Sequence, residues 1–118
     1  MIKINVVEDF SASPYGRNEN DVLPEEVKST GKAFRETLLV PKLQEAKKNN
    51  EELEVNLTGY NRYGRSFIDE AFGGVIRYSD LTYSDLDNLL KIKHDDVPSI
   101  VALAWARIKK AAQDLEQL

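Results

Sequence analysis

The sequence predicts an α/β fold, in which helices pack on a small β-sheet. Short segments with strand patterns alternate with longer segments in which apolar residues recur at helical spacing. The resulting order is strand, helix, strand, helix, helix, strand, helix, which is typical of helices laid on a sheet. With 118 residues and an ordinary share of apolar and charged side chains, the chain is expected to form a single domain over residues 1–118.

Three segments have strand patterns. Residues 2–7 alternate and then become fully apolar, residues 53–58 alternate, and residues 90–94 alternate weakly. Periodicity alone would also allow residues 90–94 to extend the preceding helix. The polar segment over residues 10–28 is too long for a simple connection, and we expect it to hold a short extra strand or to become ordered on binding. The predicted sheet is therefore small and mixed, with about four strands.

Helix-start residues and apolar stripes predict the helices. Ser29 or Thr30 can cap a helix that Pro41 interrupts, so we expect a kink or two abutting helices there. Thr82 precedes a short helix with carboxylates in its first turn. Pro98 suits the first turn of a last helix, whose apolar stripe continues to the C-terminus.

The segment from Ser66 to Ile76 combines a helix-start signal with the closely spaced pair Gly73 and Gly74. Ser66 is a good N-cap, and Asp69 three residues later completes a short form of the capping box. The glycines lie inside this helix, which favours a close approach of another backbone over a phosphate-binding loop. Residues 59–65 form a polar loop before the helix, and we expect this loop and helix to form the functional surface.

Two motifs in this segment resemble a known family. Ser66-Phe67-Ile68-Asp69 followed by Gly74-Val75-Ile76 is similar to the signature of STAS domains, the fold of bacterial anti-sigma-factor antagonists and of sulfate-transporter tails. Residues 17–31, 34–36 and 41–43 add a resemblance to small STAS-like bacterial proteins of unassigned function. The resemblance spans residues 16–76, and it implies a STAS-like α/β sandwich.

The same resemblance implies a regulatory role and a kind of partner. In the antagonists, a partner kinase of the histidine-kinase-like ATPase class phosphorylates a serine at the start of this helix. The aligned position here is Ala71, which cannot be phosphorylated, and Glu70 replaces a second serine. The antagonist switch therefore does not carry over, although the surface that would dock such an ATPase does.

The leading hypothesis is a non-enzymatic regulatory module that binds a protein partner through residues 59–76. Phe72 lies near the boundary of the buried helix face formed by Phe67, Ala71 and Val75, where a phenylalanine more often belongs to the core. In this hypothesis Phe72 is exposed and supplies apolar contact area, and the charged residues set specificity. Ser66 is also a candidate phosphorylation or anion site, because a phosphate there would lie at a helix N-terminus near two arginines. The candidate partner-binding residues are Arg62, Arg65, Ser66, Asp69, Glu70 and Phe72.

The alternative hypothesis, from a different class, is a small-ligand or nucleotide and anion sensor. In that case the polar loop of residues 11–20 would hold the ligand, and Arg17, Arg35 or Arg65 would bind its anionic group. An enzyme ranks third, because no set of nucleophile, base and oxyanion donor can be assembled from the sequence.

Composition excludes several classes. A net charge of −4 and the lack of a basic stretch argue against a protein that binds the nucleic-acid backbone. With one histidine and no cysteine, no zinc site is expected, and no cofactor is predicted. The lack of cysteine fits a reducing compartment, and no apolar stretch approaches the ~20 residues that a membrane span needs. We therefore expect a cytoplasmic protein that is a monomer or a weak homodimer.

Overall fold

The computed structural model describes residues 1–118 and contains one sheet of three parallel strands. β1 is Ile2–Asn5, β2 is Leu53–Asn56 and β3 is Leu90–Lys93, with β2 in the centre. The prediction of a mixed sheet with about four strands is wrong. The segment over residues 10–28 forms no strand, because proline and turn-forming residues cannot complete a strand ladder. A 3₁₀ helix, Pro24–Ser29, lies at its end.

One face of the sheet is buried and the other is polar. Leu53 and Val55 of β2 are fully buried, and Ile2 and Ile4 of β1 lie beside them in the register. The intervening Glu54 points to the opposite face, where its neighbours Lys3 and Lys91 are exposed. The helices therefore cover one face of this parallel sheet, whereas most parallel sheets are covered on both.

Seven α-helical segments surround the buried face. They are α1 Val6–Asp9, α2 Gly31–Phe34, α3 Val40–Asn49, α4 Arg65–Ile68, α5 Gly74–Tyr78, α6 Tyr83–Leu89 and α7 Pro98–Asp114. The first π-turn, Arg35–Leu39, joins α2 to α3 without a break, and the second π-turn, Asp69–Gly73, joins α4 to α5. The chain thus has two longer helices with a widened turn inside each, over residues 31–49 and 65–78. No helix is both long enough and apolar enough to cross a lipid bilayer.

The interruption predicted at Pro41 takes the form of the first π-turn. The Val40 N–H donates to the carbonyl of Arg35, which is five residues earlier. In an α-helix it would donate to the carbonyl four residues earlier. A proline in an α-helix cannot donate a hydrogen bond, and its ring collides with the carbonyl four residues earlier, here that of Thr37. A wider turn before the proline relieves this collision, so the helix continues instead of breaking.

Local capping chemistry sets the other helix starts. Thr30 caps α2 by accepting from the Ala33 N–H at 3.2 Å, and Thr82 caps α6 in a capping box with Asp85. The prediction that Ser66 is an N-cap is wrong. Gly64 takes that position with an extended backbone, and its carbonyl accepts from Ile68, so Ser66 is the second residue of α4.

The helix over residues 65–78 lies at the centre of the molecule. Every residue from Phe67 to Ile76 is buried, because α7 packs on one side of this helix and residues 31–39 pack on another. Gly31 allows a close backbone approach, since a Cβ there would lie 2.6 Å from the Phe67 carbonyl oxygen. Residues 67–76 therefore belong to the core, and only the two ends of this helix reach the surface.

Candidate functional site

A cleft of about 600 Å³ lies between residues 15–21 and residues 62–67. Tyr15 and Phe67 are its only hydrophobic lining residues. The other lining residues are glycine, polar or charged, and they include Arg17, Arg62 and Arg65. The cleft thus brings together the polar loop and the start of the central helix, which belong to two separate candidate sites in the sequence.

Backbone hydrogen bonds hold the loop wall of the cleft. The carbonyl of Gly16 accepts from the Gly31 N–H at 2.9 Å, and the carbonyl of Arg17 accepts from the Lys32 N–H at 3.0 Å. These donors belong to the first turn of α2, where N–H groups have no partner within the helix. Gly16 has a φ of +81°, which glycine adopts without strain, and this conformation aims the loop carbonyls at α2.

The opposite wall is the start of the central helix. Arg62 and Arg65 are exposed and form no ion pair with any carboxylate of the protein. Ser66 is exposed between them and the core. The N–H groups of residues 65–67 have no acceptor in the protein, as expected for a first helical turn. This wall therefore presents two free guanidinium groups and three free backbone donors.

Beneath the cleft lies a buried pair of carboxylates, Asp69 and Glu70, which are 5% and 6% exposed. Asp69 Oδ1 accepts from Arg77 Nη2 at 2.8 Å and from Arg107 Nε at 2.9 Å, and its Oδ2 accepts from Arg17 Nη1 at 2.8 Å. Burial alone would raise the pKa of Asp69, but the hydrogen bonds from these arginines outweigh burial and hold the pKa well below its usual range.

Arg17 connects the cleft to this pair. Its Nη1 donates to Asp69 and lies 3.4 Å from Glu70 Oε1. The hydrogen bond to Asp69 raises the pKa of Arg17, against the opposing effect of burial. Adjacent residues of an α-helix diverge, but a π-turn winds each residue through a smaller angle. The second π-turn therefore allows both carboxylates to face one guanidinium.

Comparison with known proteins identifies the family. A family model described as a STAS-like domain of unknown function (DUF4325) matches residues 30–99, more than half of the chain. The chain belongs to this family. No curated protein and no solved structure matches the chain. The resemblance seen in the sequence is therefore confirmed, while Arg17 and Arg107 lie outside the matched part of the STAS-like domain.

Three of the predicted partner-binding residues are buried in this STAS-like domain. Phe72 is fully buried, with its ring centroid 6.3 Å from that of Phe34, so the prediction that it supplies docking area is wrong. Asp69 does not cap the helix and Glu70 is not solvated, since both bind arginines inside the protein. The sequence pattern suggested a helix with one buried face, whereas neighbouring helices enclose this one.

The remaining predicted residues divide between the cleft and the core. Arg62, Arg65, Ser66 and Arg17 line the cleft together. Arg35 is buried, donates to the Glu70 carboxylate, and stacks its guanidinium 4.8 Å from the ring centre of Tyr78. Arg35 therefore forms an internal ion pair, and it does not face the polar loop to bind an anionic group there, as predicted.

The only histidine has no free nitrogen for catalysis. Nδ1 of His94 accepts from the N–H groups of Asp96 and Val97, and Nε2 lies 2.8 Å from the carbonyl oxygen of Tyr60. These contacts favour the tautomer in which Nδ1 accepts and Nε2 donates. The structure also contains no group of three or more histidine, aspartate or glutamate side chains that could hold a metal ion.

Sequence reasoning missed two residues of the buried ion network. Arg77 follows Asp69 by two helical turns, and Arg107 lies on α7, 38 residues later in the chain. Only the fold brings Arg107 to Asp69. The spacing of Asp69 and Arg77 was readable in the sequence, but a pair eight residues apart on a regular α-helix does not predict a contact.

Proposed function

We propose that this STAS-like domain is a non-enzymatic regulatory module that binds a small phosphorylated ligand in the cleft. The observation that carries the proposal is the pair of unpaired guanidinium groups of Arg62 and Arg65 on one wall, opposite Arg17 on the other. Phosphoryl groups are the anions that guanidinium forks and free backbone N–H groups bind best.

Charge and size support a small anionic ligand. The protein carries a net charge of −4, yet three arginines and one acidic residue, Asp21, line this cleft. Its volume of about 600 Å³ falls within the range of about 300–1,000 Å³ that is usual for ligand sites. Because the lining is mostly polar, the ligand is expected to be polar as well.

Binding without catalysis is the simpler chemistry for this cleft. Ser66 supplies the one aliphatic hydroxyl that lines the cleft, and none of the residues that line the cleft is a histidine. Both nitrogens of the only histidine, His94, are occupied by backbone groups. A serine without a neighbouring base is a weak nucleophile.

Docking of a histidine-kinase-like ATPase, which the family resemblance suggests, is the less favoured candidate. Arg62, Arg65 and Ser66 remain exposed and could contact such a partner. The burial of Phe72 removes the apolar anchor on which that docking surface depended, and binding hot spots usually need one. A protein partner would then respond to the state of the ligand site instead of docking on Phe72.

Calorimetric titration with pyrophosphate tests the proposal. Arg65→Gln should weaken binding at least about tenfold, because a charge-assisted hydrogen bond is worth about 1.5–3 kcal/mol. Lys48→Gln is the matched control, since Lys48 is exposed, forms no ion pair and does not line the cleft. The control should bind as the native protein does. Absence of binding to the native protein, or equal weakening in both variants, would contradict the proposal.

A further inference from the structure

We propose that Arg17, which donates to Asp69, couples ligand binding in the cleft to the ordering of the loop over residues 10–23. This inference rests on the proposed function, because it concerns the regulation of the same site. It follows from the placement of one guanidinium between an open cleft and a buried carboxylate pair.

Several N–H donors of Arg17 have no acceptor in the protein. Its Nη1 is the atom that bonds Asp69, and its Nε and Nη2 donate to no acceptor in the protein. A guanidinium has five N–H donors in a fixed fork, so it can bind a carboxylate on one edge and a second anion on another. Because Arg17 lines the cleft, a bound phosphoryl group can use the free edge while the bond to Asp69 remains.

The local charge balance favours that second anion. Four arginines, Arg17, Arg35, Arg77 and Arg107, contact the two carboxylates Asp69 and Glu70, which leaves two positive charges in excess. The side chains of Arg17, Arg107 and Arg77 are 34%, 30% and 24% accessible, and that of Arg35 is 6% accessible. Of these four arginines, Arg17 is the one that lines the cleft. The excess charge is therefore open to a ligand at Arg17.

Arg17 is also the side chain whose ion pairs tie its loop to the central helix. Residues 10–23 contain no helix or strand, and their backbone hydrogen bonds reach Val6, Ser29 and α2 but not the central helix. The other contact with that helix is apolar, between the rings of Phe10 and Phe67, whose centroids are 6.4 Å apart.

If Arg17 were released, Asp69 would keep Arg77 and Arg107, and Glu70 would keep Arg35. The tie is thus dispensable for folding, and a ligand that contacts Arg17 together with any donor of the opposite wall, such as Arg62 or Arg65, would strengthen it by linking the two walls.

Hydrogen exchange with pyrophosphate as the probe tests this coupling. In the native protein, saturating pyrophosphate should slow amide exchange of residues 10–23 at least about threefold, because the loop opens less often. Arg17→Gln should retain native-like cooperative unfolding, bind pyrophosphate more weakly and show no slowing at any concentration. Arg65→Gln should also bind more weakly, but it should show the full slowing once saturated.

The outcomes separate the inference from the proposed function. If the native protein binds pyrophosphate and loop exchange does not change, or if Arg17→Gln shows the native slowing, the coupling is wrong and the binding site stands. If the native protein does not bind pyrophosphate, the proposed function fails and the coupling fails with it.

Discussion

Arg35 and Glu70 form an ion pair that joins the two π-turns. Arg35 Nη1 donates to the Glu70 carboxylate and, at 2.7 Å, to the Glu70 carbonyl oxygen. Their side chains are 6% and 8% exposed, so each charge is shielded from water and depends on the other. The two helices thus meet where each departs from α-helical geometry, and this contact fixes the position of the residues beneath the cleft.

Gly74→Ala should destabilise the protein by about 1–3 kcal/mol, the usual cost of overpacking a core. A Cβ at Gly74 would overlap the Arg35 guanidinium and push it from its position beside Glu70. Gly64→Ala is the matched control, because no atom lies within 4 Å of a Cβ there, and it should cost less than about 1 kcal/mol as a changed N-cap. Urea unfolding measures both, and equal losses would refute the role given to Gly74.

The stability that Asp69 contributes should depend on pH in the acid range. Because the folded state holds the pKa of Asp69 below its unfolded value of about 3.9, the ionised carboxylate stabilises the fold above that pH. This stability is lost as the pH falls below about 4 towards the folded pKa. The difference in unfolding free energy between the native protein and Asp69→Asn should therefore be largest above pH 5 and should shrink towards pH 2. A difference that stays constant over this range would show that the charge of Asp69 does not matter.

Phe72→Ala should cost about 3–5 kcal/mol of stability, because it leaves a cavity in the core where Phe72 packs near Phe34. Leu23→Ala is the control at an exposed apolar residue, which is 60% accessible, and it should change stability by less than about 0.5 kcal/mol. Thermal or urea unfolding distinguishes the two. A stable Phe72→Ala variant would restore Phe72 as a candidate surface residue.

Local sequence signals predicted much of the fold. The strand pattern at residues 53–58 and the weaker one at 90–94 are confirmed as β2 and β3, each a little shorter than predicted. Thr30 and Thr82 cap helices because capping depends on neighbouring residues alone. The STAS-like family was also readable from the motifs around Ser66 and Gly74.

The features that the sequence did not predict depend on contacts between distant residues. Asp69 meets Arg17 and Arg107 across 52 and 38 residues, which no local pattern records. Phe72 was placed at the boundary of a buried face, because periodicity describes one helix and not the helices that enclose it. The π-turn at Arg35–Leu39 has a readable cause in Pro41, but the proline equally allowed a kink or a break.

An NMR titration of the native protein with pyrophosphate tests the central claim most directly, because it locates the ligand by residue. We predict saturable changes in the backbone amide signals of residues 15–21 and 64–67, which line the cleft, and weaker binding as salt is added. Signals of the exposed sheet face, such as those of Lys3 and Lys91, should not move. Saturable changes centred elsewhere, or no saturable change at all, would contradict a phosphoryl-binding cleft.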